Sequence, residues 1–241
     1  MQTDTAIEAL RAYGASGKSG PPRHFGTRFD SKGNFLNEPG NTVVSHVTNG
    51  SATQAALVDV RARMMGLPFA HHFSFTPVSS LHMTLAQGVI EFRRKDNFWP
   101  EGVDHDADIG GITDLYCDRL KTFPDFGAFR TRAVAVTPLG VTLAGATGED
   151  ESTLRRWRDE LCRPLGFRHP DHDDYVFHIT LAYLIDWLPD EALPVYAGAV
   201  ADCTALLQAR APTLELDDPY FCSFEDMNHF EPLLNLRRAD R

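Results

Sequence analysis

His82-Met83-Thr84 and His178-Ile179-Thr180 are the segments of this chain best suited to chemistry. Histidine is the side chain whose ordinary pKa lies nearest neutrality, so two imidazoles can act as proton acceptor and proton donor at one pH. A threonine hydroxyl can donate to negative charge as it develops. Strand side chains alternate with period two. In Leu81-His82-Met83-Thr84-Leu85, His82 and Thr84 therefore share one face, and the three apolar residues share the other. Phe177-His178-Ile179-Thr180-Leu181 has the same pattern. The apolar triplets can pack on helices while the polar pairs line a cleft. In-line displacement at phosphorus needs a base and an acid on opposite sides of the reacting atom. Two such strands facing each other supply both, and the hydroxyls and an imidazolium carry the electrostatic work without a metal.

A lone His-x-Thr has little weight, because ten histidines make about 0.7 chance matches in a chain of this length. His46-Val47-Thr48 is read as one of these, since Asn49 follows it and the second half has no counterpart. Requiring Leu after Thr lowers the expectation to below roughly 0.1 for one match, and far lower for two.

The elements around the two motifs repeat. The first series is a strand at 42–47, a helix from Ser51 ending at Gly66, strands at 73–75 and 81–90, and a helix within 106–123. The second begins with strands at 132–136 and 141–144. A helix at 151–162, a strand at 175–185, a helix at 197–208 and closing strands at 214–216 and 220–224 follow. The expected fold is α+β, with two pseudo-twofold lobes, each an antiparallel sheet with helices on its outer face, and a catalytic cleft between them. Residues 1–40 are expected to form an arm with a short helix (Ala6, Ile7, Leu10) and a hairpin around Ser31-Lys32-Gly33. Residues 41–136 form the first repeat and 137–241 the second. Gly17-Lys18-Ser19 fails as a P-loop: Ala12 stands where the first glycine belongs, and two prolines follow.

Two His-x-Thr-hydrophobic motifs on equivalent strands of a duplicated α+β unit resemble the 2H phosphoesterase superfamily. That superfamily includes LigT-like RNA cyclic phosphodiesterases, and the resemblance covers about residues 41–224. With its N-terminal extension, the chain is most similar to uncharacterised bacterial members. The resemblance implies a metal-independent enzyme, without cofactor, acting on a 2′,3′-cyclic phosphate. His82 and His178 are its catalytic pair, and Thr84 and Thr180 bind phosphate. His178 is assigned as base and His82 as acid.

Ten per cent aromatic, 43% hydrophobic and 23% charged residues describe a globular chain. A net charge of −10 disfavours long nucleic-acid tracts but permits a small nucleotide or RNA-end cyclic phosphate. Cys117, Cys162, Cys203 and Cys222 form no C-x-x-C pair and read as buried thiols. A cytoplasmic monomer without a membrane segment is expected. Two other readings stay open: a non-catalytic module that binds a phosphorylated nucleotide, and a metal-dependent phosphohydrolase built on His169-Pro170-Asp171-His172-Asp173-Asp174. Arg28 and Arg130 are candidate phosphate contacts, and Phe25, Phe29 and Trp99 candidate base-stacking groups. Tyr183 points with the apolar face by parity and is set aside.

Overall fold

A computed structural model describes residues 7–237; Ala6, placed in the short helical pattern, lies outside them. Among the described residues, helical residues 7–10 precede nine strands and four longer α-helices, in chain order β1 (Gly40–His46), α1 (Ala52–Met65), β2 (Phe73–Phe75), β3 (His82–Ile90), α2 (Ile109–Leu120), β4 (Thr131–Thr137), β5 (Gly140–Gly145), α3 (Gly148–Leu165), β6 (His178–Thr180), β7 (Ala182–Leu184), α4 (Leu193–Arg210), β8 (Tyr220–Phe224) and β9 (Glu231–Asn235). The fold is α+β. Seven strands form one antiparallel sheet in the order β4-β5-β6-β3-β1-β8-β9, and β2 pairs with β7 in a second, smaller sheet.

The two motif strands meet at the centre of the large sheet. Outward from the β3–β6 seam the order matches in both directions: a motif strand, the opening strand of the same half-chain (β1 or β5), then the closing strand of the other half (β8 or β4). The halves thus exchange a strand, and α4 packs on α1 and β4.

Local chemistry sets the helix ends. The Ser51 hydroxyl accepts from Gln54 N at the start of α1. Thr147 and Asp150 form a reciprocal capping box on α3, which ends at Gly166 with φ of 77°, a left-handed conformation that favours glycine. One contiguous core joins all four helices to the apolar face of the motif strands; Met83, Leu85, Phe177 and Ile179 are fully buried there with Tyr116 and Trp157. By length and composition the segment 190–210 could cross a membrane. In the fold it buries Leu193, Tyr196, Ala197, Cys203 and Leu207 in the helical layer.

Three expectations are corrected. The strand expected at 175–185 is two strands broken at Leu181, with β6 in the large sheet and β7 paired to β2. The expected hairpin near Gly33 is a turn without strands: the Asp30 carboxylate accepts from Lys32 N and Asn34 N, and the flanks make one bridge, Phe29–Phe35. Residues 214–216 make two isolated bridges, Thr131–Leu214 and Val47–Leu216, in place of a strand. β9 is an addition that the sequence pattern did not reveal.

Candidate functional site

Met83 lies opposite Ile179 across the antiparallel β3–β6 seam. One residue on either side, the same register sets His82 across from Thr180 and Thr84 across from His178. All four project from the face opposite the buried Met83 and Ile179. Residues directly opposite in such a pair have Cβ atoms about 5 Å apart, so the two imidazoles lie on one diagonal and the two hydroxyls on the other. β5 continues the rows, with Gly140 beside Thr180 and Thr142 beside His178. A Cβ on Gly140 would overlap the Ile179 carbonyl, so the close approach of β5 to β6 depends on glycine there. His82, Thr84, His178 and Thr180 all line one cavity of about 550 Å³.

Both imidazoles are held alike. Nδ1 of His82 is 2.7 Å from the Ser80 carbonyl, and Nδ1 of His178 is 2.8 Å from the Val176 carbonyl, each two residues upstream. A carbonyl only accepts, so Nδ1 carries hydrogen in both rings, and Nε2 is free to accept a proton or, once protonated, to donate one. Their surroundings differ. His82 is wedged between Phe230, 4.1 Å away centre to centre, and His46, 6.2 Å away. Burial pushes its pKa down to about 4; the Ser80 carbonyl opposes this shift, and His46 and His178 add to it. His178 is exposed and its ring lies at a tilt to Tyr175, 5.8 Å away centre to centre. Behind Tyr175, the buried Arg158 guanidinium lies 3.7 Å from the ring centre and donates to the Leu85 carbonyl at 2.7 Å.

The rest of the wall comes from segments that motif spacing did not single out. Along both motif strands the alternation breaks just after the leucine. A register shift between β1 and β3 falls at Leu85 and turns Gln87 into the cavity, while the break at Leu181 does the same for Tyr183. The parity argument against Tyr183 is therefore overturned. Its ring packs on Phe29, Phe35 and Arg28, and its hydroxyl lies beside Arg28 and Thr180. The N-terminal arm contributes Tyr13, Arg23, His24 and Arg28, and the β8–β9 connection contributes Met227 and Phe230. The arm is tied down by Ala15 N donating to the Leu188 carbonyl at 2.8 Å and by Trp187 Nε1 donating to the Gly20 carbonyl at 2.8 Å.

Other candidates lie elsewhere. Arg28 is in the wall, but Arg130 pairs with Asp150 outside it. Trp99 is buried with Nε1 on the Asp104 carbonyl, Phe29 is buried beneath Tyr183, and Phe25 faces a shallower depression beside His71 and His72. His46 stands behind His82 rather than in the cavity, and Thr48 bonds Asp217 at 2.7 Å. Lys18 lies over the Trp187 ring. In the 169–174 segment, His169 Nε2 donates to the Gln87 carbonyl at 2.9 Å, and both ring nitrogens of His172 are engaged, by Asp159 and Cys162. Asp171, Asp173 and Asp174 are exposed. Among the described residues no three His, Cys, Asp or Glu side chains are grouped to hold a metal ion.

Comparison with known proteins decides the family. Residues 28–142, which include the first motif, match the family described as 2H-phosphodiest, domain of unknown function (DUF1868). Over those residues the chain carries a 2H phosphoesterase domain. The crystal structure of a conserved protein of unknown function from Agrobacterium tumefaciens str. C58 is 45% identical, with a TM-score of 0.94 over 95% of this chain and 99% of that one. No curated protein matches. The 2H assignment supports a phosphoesterase and leaves the ester to be argued from the site.

Proposed function

We propose that the chain hydrolyses a cyclic phosphodiester, a 2′,3′-cyclic phosphate on a nucleotide or RNA end, using His82 and His178 as its proton-transfer pair. The observation that carries the reading is that two imidazoles, each with Nδ1 fixed by a carbonyl and Nε2 free, occupy one cavity on adjacent strands, each across from a threonine. With its lowered pKa, His82 is neutral at pH 7 and takes the proton from the attacking water. His178, at the exposed side, protonates the leaving ribose oxygen. This reverses the assignment made from the sequence, and the reason is the packing of Phe230 and His46 against His82. Thr84 and Thr180 donate to the non-bridging oxygens as charge builds on them. Water adds to phosphorus, the P–O bond to one ribose oxygen breaks, and a phosphomonoester leaves. No step needs a metal.

The test is initial rate on 2′,3′-cyclic mononucleotides in the presence of EDTA. His82→Ala and His178→Ala should each lower kcat by about 10²- to 10⁴-fold, the usual worth of a positioned proton-transfer group. The double variant should be little slower than the slower single one, because the pair acts as a unit. Near-wild-type rates in both single variants would refute the reading and return the cleft to a binding role. Activity that vanishes in EDTA and returns with a divalent ion would point to a metal-dependent reaction.

A further inference from the structure

At one end of the cavity stands a group of basic side chains that the hydrolytic step does not use, three arginines and a histidine. Arg23, His24 and Arg28 come from the arm and Arg93 from the turn after β3, and all four line the wall. The chain as a whole carries −10, so this concentration of positive charge is local. Arg28 is neutralised: its Nε donates to the buried Glu38 at 2.6 Å, and its guanidinium packs on Tyr183. The other two arginines are not balanced in this way. Arg23 is exposed and has no ion-pair partner among the described residues. Arg93 is held by Gln87 and lies over the Phe98 ring, but its buried Nε has no partner. The nearest acids are Glu38, already paired, and Asp171, which is exposed.

His24 occupies a left-handed backbone conformation, φ 72°, that non-glycine residues rarely adopt, and the turn it makes presents Arg23 and His24 to the cavity. Burial, with Arg28, Arg23 and Arg93 nearby, drives the pKa of His24 down to about 3, and burial, with Arg28 and Arg23 nearby, lowers Arg93 to about 10. Like charges are therefore held together at the cost of mutual repulsion, which a bound anion would relieve.

Placement narrows the anion. Gln87, which holds Arg93, is three residues beyond Thr84 on the same strand, or about 10 Å at the usual rise. A ribose whose 2′,3′ edge sits between the motif pairs reaches that far with its 5′ substituent. We infer that Arg23 and Arg93, with Arg28 behind them, form a second phosphate subsite, and that the substrate class is a nucleotide bearing a phosphate or diphosphate on its 5′ side besides the ester that is cleaved. This rests on the proposed phosphodiesterase reading for the orientation of the ligand.

Calorimetric binding of product-like ligands tests the subsite without turnover. Adenosine 2′-monophosphate is compared with adenosine 2′,5′-bisphosphate on the wild type, Arg93→Gln and Arg23→Gln. The bisphosphate should bind the wild type at least about tenfold more tightly, the worth of one charge-assisted hydrogen bond, and each variant should lose most of that preference. Arg23 is exposed, so its variant keeps the test sound if Arg93→Gln melts early. Equal affinity of the wild type for the two ligands overturns the inference, and so does a preference that survives both substitutions. Hydrolysis of 2′,3′-cyclic AMP, measured in parallel, judges the phosphodiesterase reading separately: a preference for the bisphosphate without turnover would sink that reading and leave the subsite standing.

Discussion

His82 owes its low pKa to neighbours that a motif does not contain. Phe230 lies on its ring from the β8–β9 connection, about 150 residues away in sequence, and His46 flanks it from β1. Replacing Phe230 with Ala admits water, relieves desolvation and should raise the His82 pKa from about 4 towards the ordinary 6.5. The acid limb of kcat/KM should move to higher pH with it, since the base works only when neutral. Histidine NMR titration of the wild type and Phe230→Ala measures the shift directly, and an unmoved titration would show that Phe230 is not what desolvates the ring. Thr84→Val and Thr180→Val keep shape and remove one donor each; each should cost roughly ten- to a hundredfold in kcat, less than loss of a histidine, if phosphate has other donors.

At the scale of elements, the seam decides whether the four groups meet. Gly140 sits where β5 touches the Ile179 carbonyl, between the two-residue turn Pro138-Leu139 and the motif strand. Gly140→Ala has no room for its methyl against backbone, so β6 must shift. We expect a loss of about 1–3 kcal/mol in stability together with a drop in activity larger than the stability change explains, because His178 and Thr180 move with the strand. Denaturant melts and initial rates on the same preparation separate the two effects. The strand positions themselves were readable from alternating hydrophobicity. Their interruptions were not: Leu85 and Leu181 look like any core leucine, and only pairing with β1 and β2 shows that the faces change there, turning Gln87 and Tyr183 into the cavity.

For the whole molecule, four half-buried imidazoles have lowered pKa values: His24 to about 3, His82 and His169 to about 4, and His46 lowered, each chiefly by desolvation. The unfolded chain takes up these protons near pH 6.5, before the folded chain can, so the folded state is fully favoured above about pH 6.5 and loses stability as pH falls from there towards about 4. The melting temperature should drop by roughly 5 °C or more between pH 7 and pH 4.5. His169→Gln, away from the cavity wall, should flatten that slope, and an unchanged slope would show that the ring titrates alike in both states.

The alternation of His and Thr against Leu, Met, Ile and Phe is a local property, set by strand geometry within five residues. The paired motifs, their faces, the helix start at Ser51 and the α+β class were accordingly legible in the order of residues, whereas the helix expected from 151 begins three residues earlier, capped by Thr147. The repeat of elements followed from the same local periodicities. Where the motif strands break step, how β8 comes to lie beside β1, and which arm, loop and aromatic ring close the cavity depend on contacts between residues distant in the chain, such as Val44 with Thr84, Gly40 with Phe224, His82 with Phe230 and Phe29 with Tyr183. No local pattern encodes those pairings, because their energy comes from burial in the assembled sheet and helices rather than from the conformational preference of any one segment.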